Sequence, residues 1–248
     1  MRIQRKKAKP KSKKLFIIIP FLILLFSAGL FGIYFLNQSH SRQTTAPSDE
    51  KYYFADSKYS GIRSKFVTRD NKREKVSIEY PITENEKINR LISESIDKID
   101  RDFQNTVLLA TVFDKPMTET ISYQVTHNTS EALSIIVNIK QDMNGAHPAS
   151  MTQFWTFDKK SGEVVGLADF TEQSDEAIIS AAKDNISQTI KQRQQPEIDL
   201  NEIINKEALS NFIITNNGNS LAWPLGQASL LPSSYGELTI TVPISSVS

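Results

Sequence analysis

The chain has 248 residues, with 29 basic and 28 acidic side chains and no cysteine. The lack of cysteine excludes disulfide scaffolds, zinc–thiolate sites and cysteine nucleophiles, so a folded domain must depend on its own hydrophobic core. Eight basic residues lie within positions 1 to 14, which leaves 21 basic against 28 acidic residues in the remainder, a net charge of −7 that argues against nucleic acid as a partner.

The apolar run from residue 15 to residue 36 predicts a transmembrane helix. It contains no charged residue, and at about 1.5 Å per residue it crosses a hydrocarbon core of about 30 Å. The basic residues before it predict a cytoplasmic tail over residues 1 to 14 and an extracytoplasmic location for everything after the anchor. The small residues Ser27, Ala28 and Gly29 leave a cleaved signal peptide open as an alternative.

Residues 37 to 50 predict a flexible tether between this anchor and a folded region. They contain no large apolar residue and cannot offset the entropy lost on ordering. Beyond them we predict two α+β subdomains, over residues 51 to 160 and 161 to 248.

The first subdomain opens with a strand and a helix. Val76, Ile78 and Tyr80 alternate with polar residues, as in a half-buried strand. Thr83 with Glu86 predicts a capping box at the start of a helix. The apolar stripe of that helix is Ile88, Leu91, Ile92, Ile96, Ile99 and Phe103.

Alternation and turn residues predict antiparallel hairpins in the rest of the chain. Ser174 predicts the cap of a second amphipathic helix, and Asn217-Gly218 predicts a tight hairpin turn. The strand residues are Ile121, Tyr123, Val125, then Leu133, Ile135, Val137, Ile139, then Phe154 to Phe157, then Phe212 to Ile214, then Leu221 to Trp223, and finally Leu238, Ile240, Val242. The predicted fold class is α+β, with antiparallel hairpins packed by two long amphipathic helices on one face.

No catalytic or cofactor motif is present, so we expect no enzyme activity, no metal and no cofactor. The three histidines, His40, His127 and His147, do not follow zinc-site spacing. The segment from Gly218 to Ala222 resembles a nucleophile elbow, but Trp223-Pro224 follows where a helix should begin. A pair of carboxylates acting on a glycoside stays open, since spacing along the chain selects no pair.

Six residues are candidate ligand contacts. The breaker-rich loop of residues 142 to 148 presents polar groups, and exposed aromatic rings can stack on sugars. Packing in a core is the alternative use of the tryptophans, and bonding to nearby backbone is the alternative use of His147. The candidates are Asn144, Gly145, His147, Trp155, Trp223 and Tyr235.

Short motifs over about residues 60 to 245 resemble the RsiV-like and PdaC-like extracytoplasmic family. The similar segments are Ser77-Ile78-Glu79-Tyr80-Pro81, Asn144-Gly145-Ala146-His147-Pro148, Phe157-Asp158 with Ser161-Gly162, Leu167-Ala168-Asp169-Phe170, Trp223-Pro224, and Tyr235-Gly236-Glu237 to Val242-Pro243. The chain has Asn144 and Pro148 where the family often has glycine.

The resemblance implies an envelope-facing domain of the type found in a lysozyme-sensing anti-sigma factor and ahead of a peptidoglycan deacetylase. We expect neither sigma-factor binding nor deacetylation from this chain, because it shows only about 14 cytoplasmic residues and no deacetylase motif. The expected function is a non-enzymatic bacterial recognition domain that binds lysozyme or a peptidoglycan fragment. The alternatives are an envelope polysaccharide hydrolase and an accessory region of a deacetylase system.

Overall fold

The computed structural model describes residues 50–111, 114–201, 203–225 and 238–244. The predicted tail, the predicted anchor and all but the last residue of the tether lie outside these ranges, so those predictions stay predictions. Within the described ranges, none of the helices has the length and apolar character needed to cross a membrane.

Nine strands, three α-helices and one 3-10 helix, Asn216–Gly218, are found in the described ranges. The strands are β1 Lys51–Asp56, β2 Arg63–Asp70, β3 Glu74–Ile82, β4 Met117–Asn128, β5 Ala132–Asp142, β6 Ala149–Asp158, β7 Ile213–Thr215, β8 Ser220–Leu225 and β9 Leu238–Pro243. The helices are α1 Glu86–Leu109, α2 Leu167–Phe170 and α3 Asp175–Gln192.

The strands form two sheets. The large sheet has the order β1-β2-β3-β4-β5-β6, and the small sheet has the order β7-β8-β9. All neighbours are antiparallel except β3 and β4, which run parallel with α1 as the crossover between them. The alternation in the sequence predicted most of these strands but did not show the parallel pair, because strand alternation carries no information about strand direction.

Helix α1 begins one residue after its N-cap, Asn85. The Asn85 Oδ1 accepts hydrogen bonds from the backbone N–H groups of Lys87 at 3.0 Å and Ile88 at 3.3 Å. The predicted capping box at Thr83 is therefore wrong, because Thr83 lies two residues before the cap and bonds Asn89 Oδ1 instead, at 2.9 Å. Ser174 does cap α3, accepting from the Ala177 N–H at 3.3 Å.

Each long helix packs on its own sheet. Helix α1 contacts β3 and β4 of the large sheet, whereas α3 contacts β9 of the small sheet. Two separate clusters of buried apolar residues result, one extending from Ile62 to Phe157 and the other from Leu167 to Ile244. The prediction that both helices cover one face is therefore wrong. The two helices pack on different sheets, and a helix can bury its apolar stripe against only one surface.

A chain of buried hydrogen bonds joins the two sheets. The Ile214 N–H donates to Ser134 Oγ at 3.0 Å. Ser134 Oγ lies 2.7 Å from Thr156 Oγ1, which donates to the Phe212 carbonyl at 2.8 Å. Because the single hydroxyl proton of Thr156 goes to the Phe212 carbonyl, Ser134 is the donor in the bond between the two hydroxyls. Every member of this chain is thereby satisfied inside the protein.

Candidate functional site

The predicted ligand loop around Asn144 is held to the end of the large sheet. Asn144 has a positive φ of 61°, and its side-chain amide donates to the Lys115 carbonyl at 3.0 Å. Asp142 Oδ1 accepts from the Asn144 N–H at 2.9 Å, and Lys115 Nζ donates to Asp142 Oδ2 at 2.7 Å. The bond from Lys115 lowers the pKa of Asp142. Gly145 and His147 lie exposed beyond this anchored corner.

Trp155 and Trp223 pack inside the protein. Trp155 belongs to the core under α1, at six residues or roughly 20 Å along β6 from the loop. Trp223 is fully buried in the other core, where its indole N–H donates to the Leu209 carbonyl at 3.1 Å. The two rings therefore do not form a groove with the loop of Asn144. Tyr235 lies outside the described residues.

The described histidines and the segment that resembles a nucleophile elbow do not form a shared site either. The register of β4 with β5 places His127 beside Ser134, at the end of that hairpin opposite the loop of His147. Ser220 opens β8 in a hairpin instead of a strand–turn–helix unit. Within the ranges that the structure describes, no group of three or more acidic or histidine side chains is placed to hold a metal ion.

A buried ion cluster lies between α1 and the large sheet. Its centre is Arg69, whose guanidinium is fully buried and forms a bidentate pair with the Asp100 carboxylate. Arg69 Nε also donates to Glu74 Oε1 at 3.1 Å, and Nη1 donates to Glu50 Oε2 at 3.3 Å. The pairing with Asp100 and Glu74 raises the pKa of Arg69 against the opposing effect of burial.

Glu119 completes this cluster on β4. It is fully buried, and its Oε1 accepts a hydrogen bond from Gln141 Nε2 at 2.6 Å. Burial, helped by the neighbouring Asp100 carboxylate, raises the pKa of Glu119 to about 8. A raised pKa is typical of a general acid, but a carboxyl without exposed surface has no access to a substrate. We therefore assign the cluster to folding and not to catalysis.

The sequence carried a signal for this cluster that the pattern analysis missed. Asp100 interrupts the buried stripe of α1 between Ile96 and Phe103, and Glu119 takes an inward position between Met117 and Ile121. A charged residue at an inward position is rarely buried without a partner. Two such interruptions in adjacent elements therefore predict that the side chains meet.

A surface cleft of about 350 Å³ lies where the end of β6, the turn after it and α2 meet. We call it the acidic cleft. Four carboxylates, those of Glu131, Asp158, Glu163 and Asp169, line it together with Ser161. The apolar part of its wall is Ala132, Val164, Val165 and Phe170.

Local hydrogen bonds position the carboxylates of the acidic cleft. Asp158 Oδ1 accepts from the backbone N–H groups of Lys160 at 3.0 Å and Ser161 at 2.6 Å. The bond from Ser161 is the main reason why the pKa of Asp158 is lowered. Asp169 Oδ2 accepts from the Gly166 N–H at 3.2 Å. Asp158 is therefore a fixed negative charge at neutral pH.

The remaining two carboxylates of the acidic cleft, those of Glu131 and Glu163, are exposed. Glu163 forms an ion pair with Lys87 of α1, and Glu131 lies on the surface at the start of β5. Two segments that carry the resemblance to the RsiV-like and PdaC-like family, Phe157-Asp158 and Leu167 to Phe170, converge here. A cleft with fixed carboxylates above an apolar wall can hold a side chain that is both cationic and long-stemmed, such as Lys or Arg.

The comparisons with known proteins give a fold and no family. The sequence matches no protein-family model and no curated protein. The structure is similar to a crystal structure of a DUF3298 family protein from Pseudomonas aeruginosa PAO1, with a TM-score of 0.53 and 12% identity over 79% of this chain and 90% of that chain. A DUF3298 family member from Bacteroides fragilis is 13% identical, with a TM-score of 0.46 over 79% of this chain and 92% of that chain.

The likeness to the Pseudomonas protein concerns the backbone fold. At 12% identity the first neighbour shares a fold with this chain, and a shared fold does not imply a shared function. The chain therefore has the α+β fold of the Pseudomonas DUF3298 family protein.

Proposed function

We propose that this chain is a membrane-anchored, extracytoplasmic recognition domain of the bacterial envelope. Its acidic cleft binds a cationic protein, such as lysozyme, without changing it chemically. The proposal adopts the envelope location and the lysozyme-type partner from the predicted anchor and from the resemblance to the RsiV-like and PdaC-like family.

The observation that carries the proposal is the composition of the acidic cleft. Four carboxylates stand beside the apolar wall that includes Phe170. The volume of about 350 Å³ is at the small end of ligand pockets, which range over about 300–1,000 Å³. A site of this size accommodates one or two side chains of a larger partner. Basic side chains are favoured, and the net charge of −7 after residue 14 steers a basic protein toward the domain.

Titration of the full chain in nanodiscs with lysozyme at low and high salt tests the proposal. We expect binding that weakens as salt rises, because the steering charges lie on the surface. Glu131→Lys should lower the association rate about tenfold at low salt. Glu94→Lys is the matched control, because Glu94 is exposed on α1 and does not line the acidic cleft. It should change the rate less than about twofold.

Two outcomes contradict the proposal. Absence of lysozyme binding at either salt removes this partner, and an equal effect of the two charge reversals removes the acidic cleft as its site. Incubation with labelled peptidoglycan tests the non-enzymatic part separately. New reducing ends or released acetate would show that the chain is an enzyme.

A further inference from the structure

Strand β1 exposes three consecutive aromatic residues on the open edge of the large sheet. Tyr52, Tyr53 and Phe54 are 67%, 52% and 47% exposed. Among the strands that the structure describes, β1 pairs with β2 alone. Because successive side chains of a strand point to opposite faces, Tyr52 and Phe54 lie on one face and Tyr53 on the other. We call these three residues the aromatic edge. Three large aromatic residues exposed in a row are unusual for a surface in contact with water alone.

Basic side chains accompany the aromatic edge. The Arg63 guanidinium lies 5.6 Å from the ring centroid of Phe54, and Lys65 Nζ lies 5.9 Å from that of Tyr52. Lys51 opens the strand itself. Asp56 at the other end contacts Arg63 only at 4.0 Å and is almost fully exposed. Rings flanked by cations match the chemistry of a membrane interface with anionic headgroups.

Few residues of the sequence separate the aromatic edge from the predicted anchor. Fourteen residues, 37 to 50, separate the apolar run from β1. A linker of this length reaches at most about 50 Å. If the run spans a membrane, as the proposed function requires, β1 is the part of the folded domain nearest to that membrane along the chain.

The order of the sheet places the aromatic edge and the acidic cleft at its two outermost strands. The aromatic edge lies on β1, and the acidic cleft lies beside the end of β6, five strand spacings away. At about 4.8 Å per spacing this separation is roughly 24 Å across the strands, and it narrows at the end of the sheet, where Asn128 bonds both the Ser60 carbonyl and Lys159 Nζ. A domain resting on β1 therefore turns its acidic cleft away from the anionic lipid surface.

We propose that the aromatic edge docks on the anionic surface of the membrane in which the chain is anchored, and that this contact orients the acidic cleft toward the partner. The inference rests on the proposed anchor, but it does not depend on which partner the acidic cleft binds. The occupant is a lipid surface because the rings, the cations and the short linker all favour it.

The test measures the distance from the membrane at two labelled positions of the full chain. The chain has no native cysteine, so Asp56→Cys beside the aromatic edge or Lys160→Cys beside the acidic cleft gives a single labelling site. Each labelled chain is placed in nanodiscs, one copy per disc, with about 30% phosphatidylglycerol and a nitroxide-headgroup lipid as quencher. We expect quenching at position 56 to exceed that at position 160 by about threefold or more, because headgroup contact depends on depth.

Three changes separate docking from simple nearness to the anchor. The variant Tyr52→Ser/Tyr53→Ser/Phe54→Ser should remove most of the excess quenching at position 56. Lys51→Glu keeps the three rings and the strand, and it should reduce the excess quenching at position 56 about twofold. Discs of phosphatidylcholine alone should have the same effect. Met151→Ser is the matched control, because Met151 is an exposed apolar residue on β6, and it should leave the quenching unchanged.

The inference is overturned if quenching is equal at positions 56 and 160. It is also overturned if the triple variant and the change of lipid leave the quenching at position 56 unchanged. If the label at position 56 is shielded from solvent only in discs that hold two copies, the aromatic edge binds a second copy of this chain. That outcome also overturns the inference. A full chain that does not remain with the discs overturns it together with the anchor. Lysozyme binding measured in the same discs reports on the proposed function independently.

Discussion

Glu119 lies in one row of the large sheet with Arg69, Val76 and Gln141. The register of β2 to β5 places these four side chains beside one another, under Asp100 of α1. A carboxyl in this position loses its water, and it lies beside the carboxylate of Asp100 while accepting a hydrogen bond from Gln141. Its pKa of about 8, against an ordinary value of 4.5, means that the folded protein binds this proton more tightly than the unfolded chain does.

Replacing Glu119 by Gln should therefore change how stability depends on pH. A raised native pKa adds stability that is complete below about pH 4.5 and is lost as the pH rises through about 8. Gln keeps the acceptor for Gln141 but cannot ionise. Urea unfolding should show E119Q close to the wild type near pH 5 and more stable by roughly 2–4 kcal/mol at pH 8.5. An equal difference at both pH values would contradict a buried, protonated Glu119.

At the scale of elements, the turn after β6 and the start of α1 depend on each other. Asn85 caps α1 and also donates from Nδ2 to the Lys159 carbonyl at 3.1 Å. Gly162 in the same turn has a φ of 73°, and a Cβ added there would lie 2.5 Å from Asn85 Oδ1. The residue must therefore be glycine for two reasons, its left-handed backbone and its closeness to the cap of a distant helix.

Gly162→Ala should lower the free energy of unfolding by roughly 2–3 kcal/mol. This loss is the sum of the cost of placing alanine in a left-handed conformation and the cost of displacing the N-cap Asn85. Gly145→Ala is the matched control, because a Cβ there meets nothing within 4 Å. It should change the free energy of unfolding by less than about 0.5 kcal/mol. Thermal unfolding of both variants measures the difference. Equal losses in the two would show that the turn and the cap are independent.

At the scale of the whole molecule, the two hydrophobic cores each contain one tryptophan. Trp155 lies in the core under α1 and Trp223 in the core under α3. The buried hydrogen bonds from Ile214 through Ser134 and Thr156 to Phe212 cross between the two sheets. A buried polar chain of this kind holds two surfaces in one arrangement, because displacing either leaves polar groups unpaired.

We expect the two cores to unfold in one transition in the wild type. Without the buried hydrogen bonds between the sheets, we expect the two cores to unfold in separate transitions. Trp155→Phe and Trp223→Phe each leave one fluorescent reporter, and their denaturation midpoints should coincide. Thr156→Val leaves the Phe212 carbonyl unpaired, so it should cost about 1–3 kcal/mol and separate the midpoints. Thr120→Val, at an exposed position of β4, is the control. Coincident midpoints in Thr156→Val would mean that apolar packing alone couples the cores.

The sequence alone predicted what depends on local pattern. Strand alternation located β3 to β9, Ser174 predicted the cap of α3, and Asn217-Gly218 predicted the turn between β7 and β8, where Asn217 has a φ of 57° and Gly218 a φ of 97°. Charge and hydropathy also predicted the anchor and its orientation, which lie outside the described residues. These signals are readable because each involves residues within a few positions of one another.

The tertiary structure decided which residues meet. Whether Trp223 stacks on a ligand or packs in a core depends on the sheet that covers it, and the parallel pairing of β3 with β4 depends on the path of α1. The acidic cleft joins Glu131 to Asp169 across 38 positions of sequence, and the buried cluster joins Arg69 to Glu119 across 50. Local pattern specifies the elements, but the contacts between them follow from how their apolar faces are buried together, and no spacing along the chain records that.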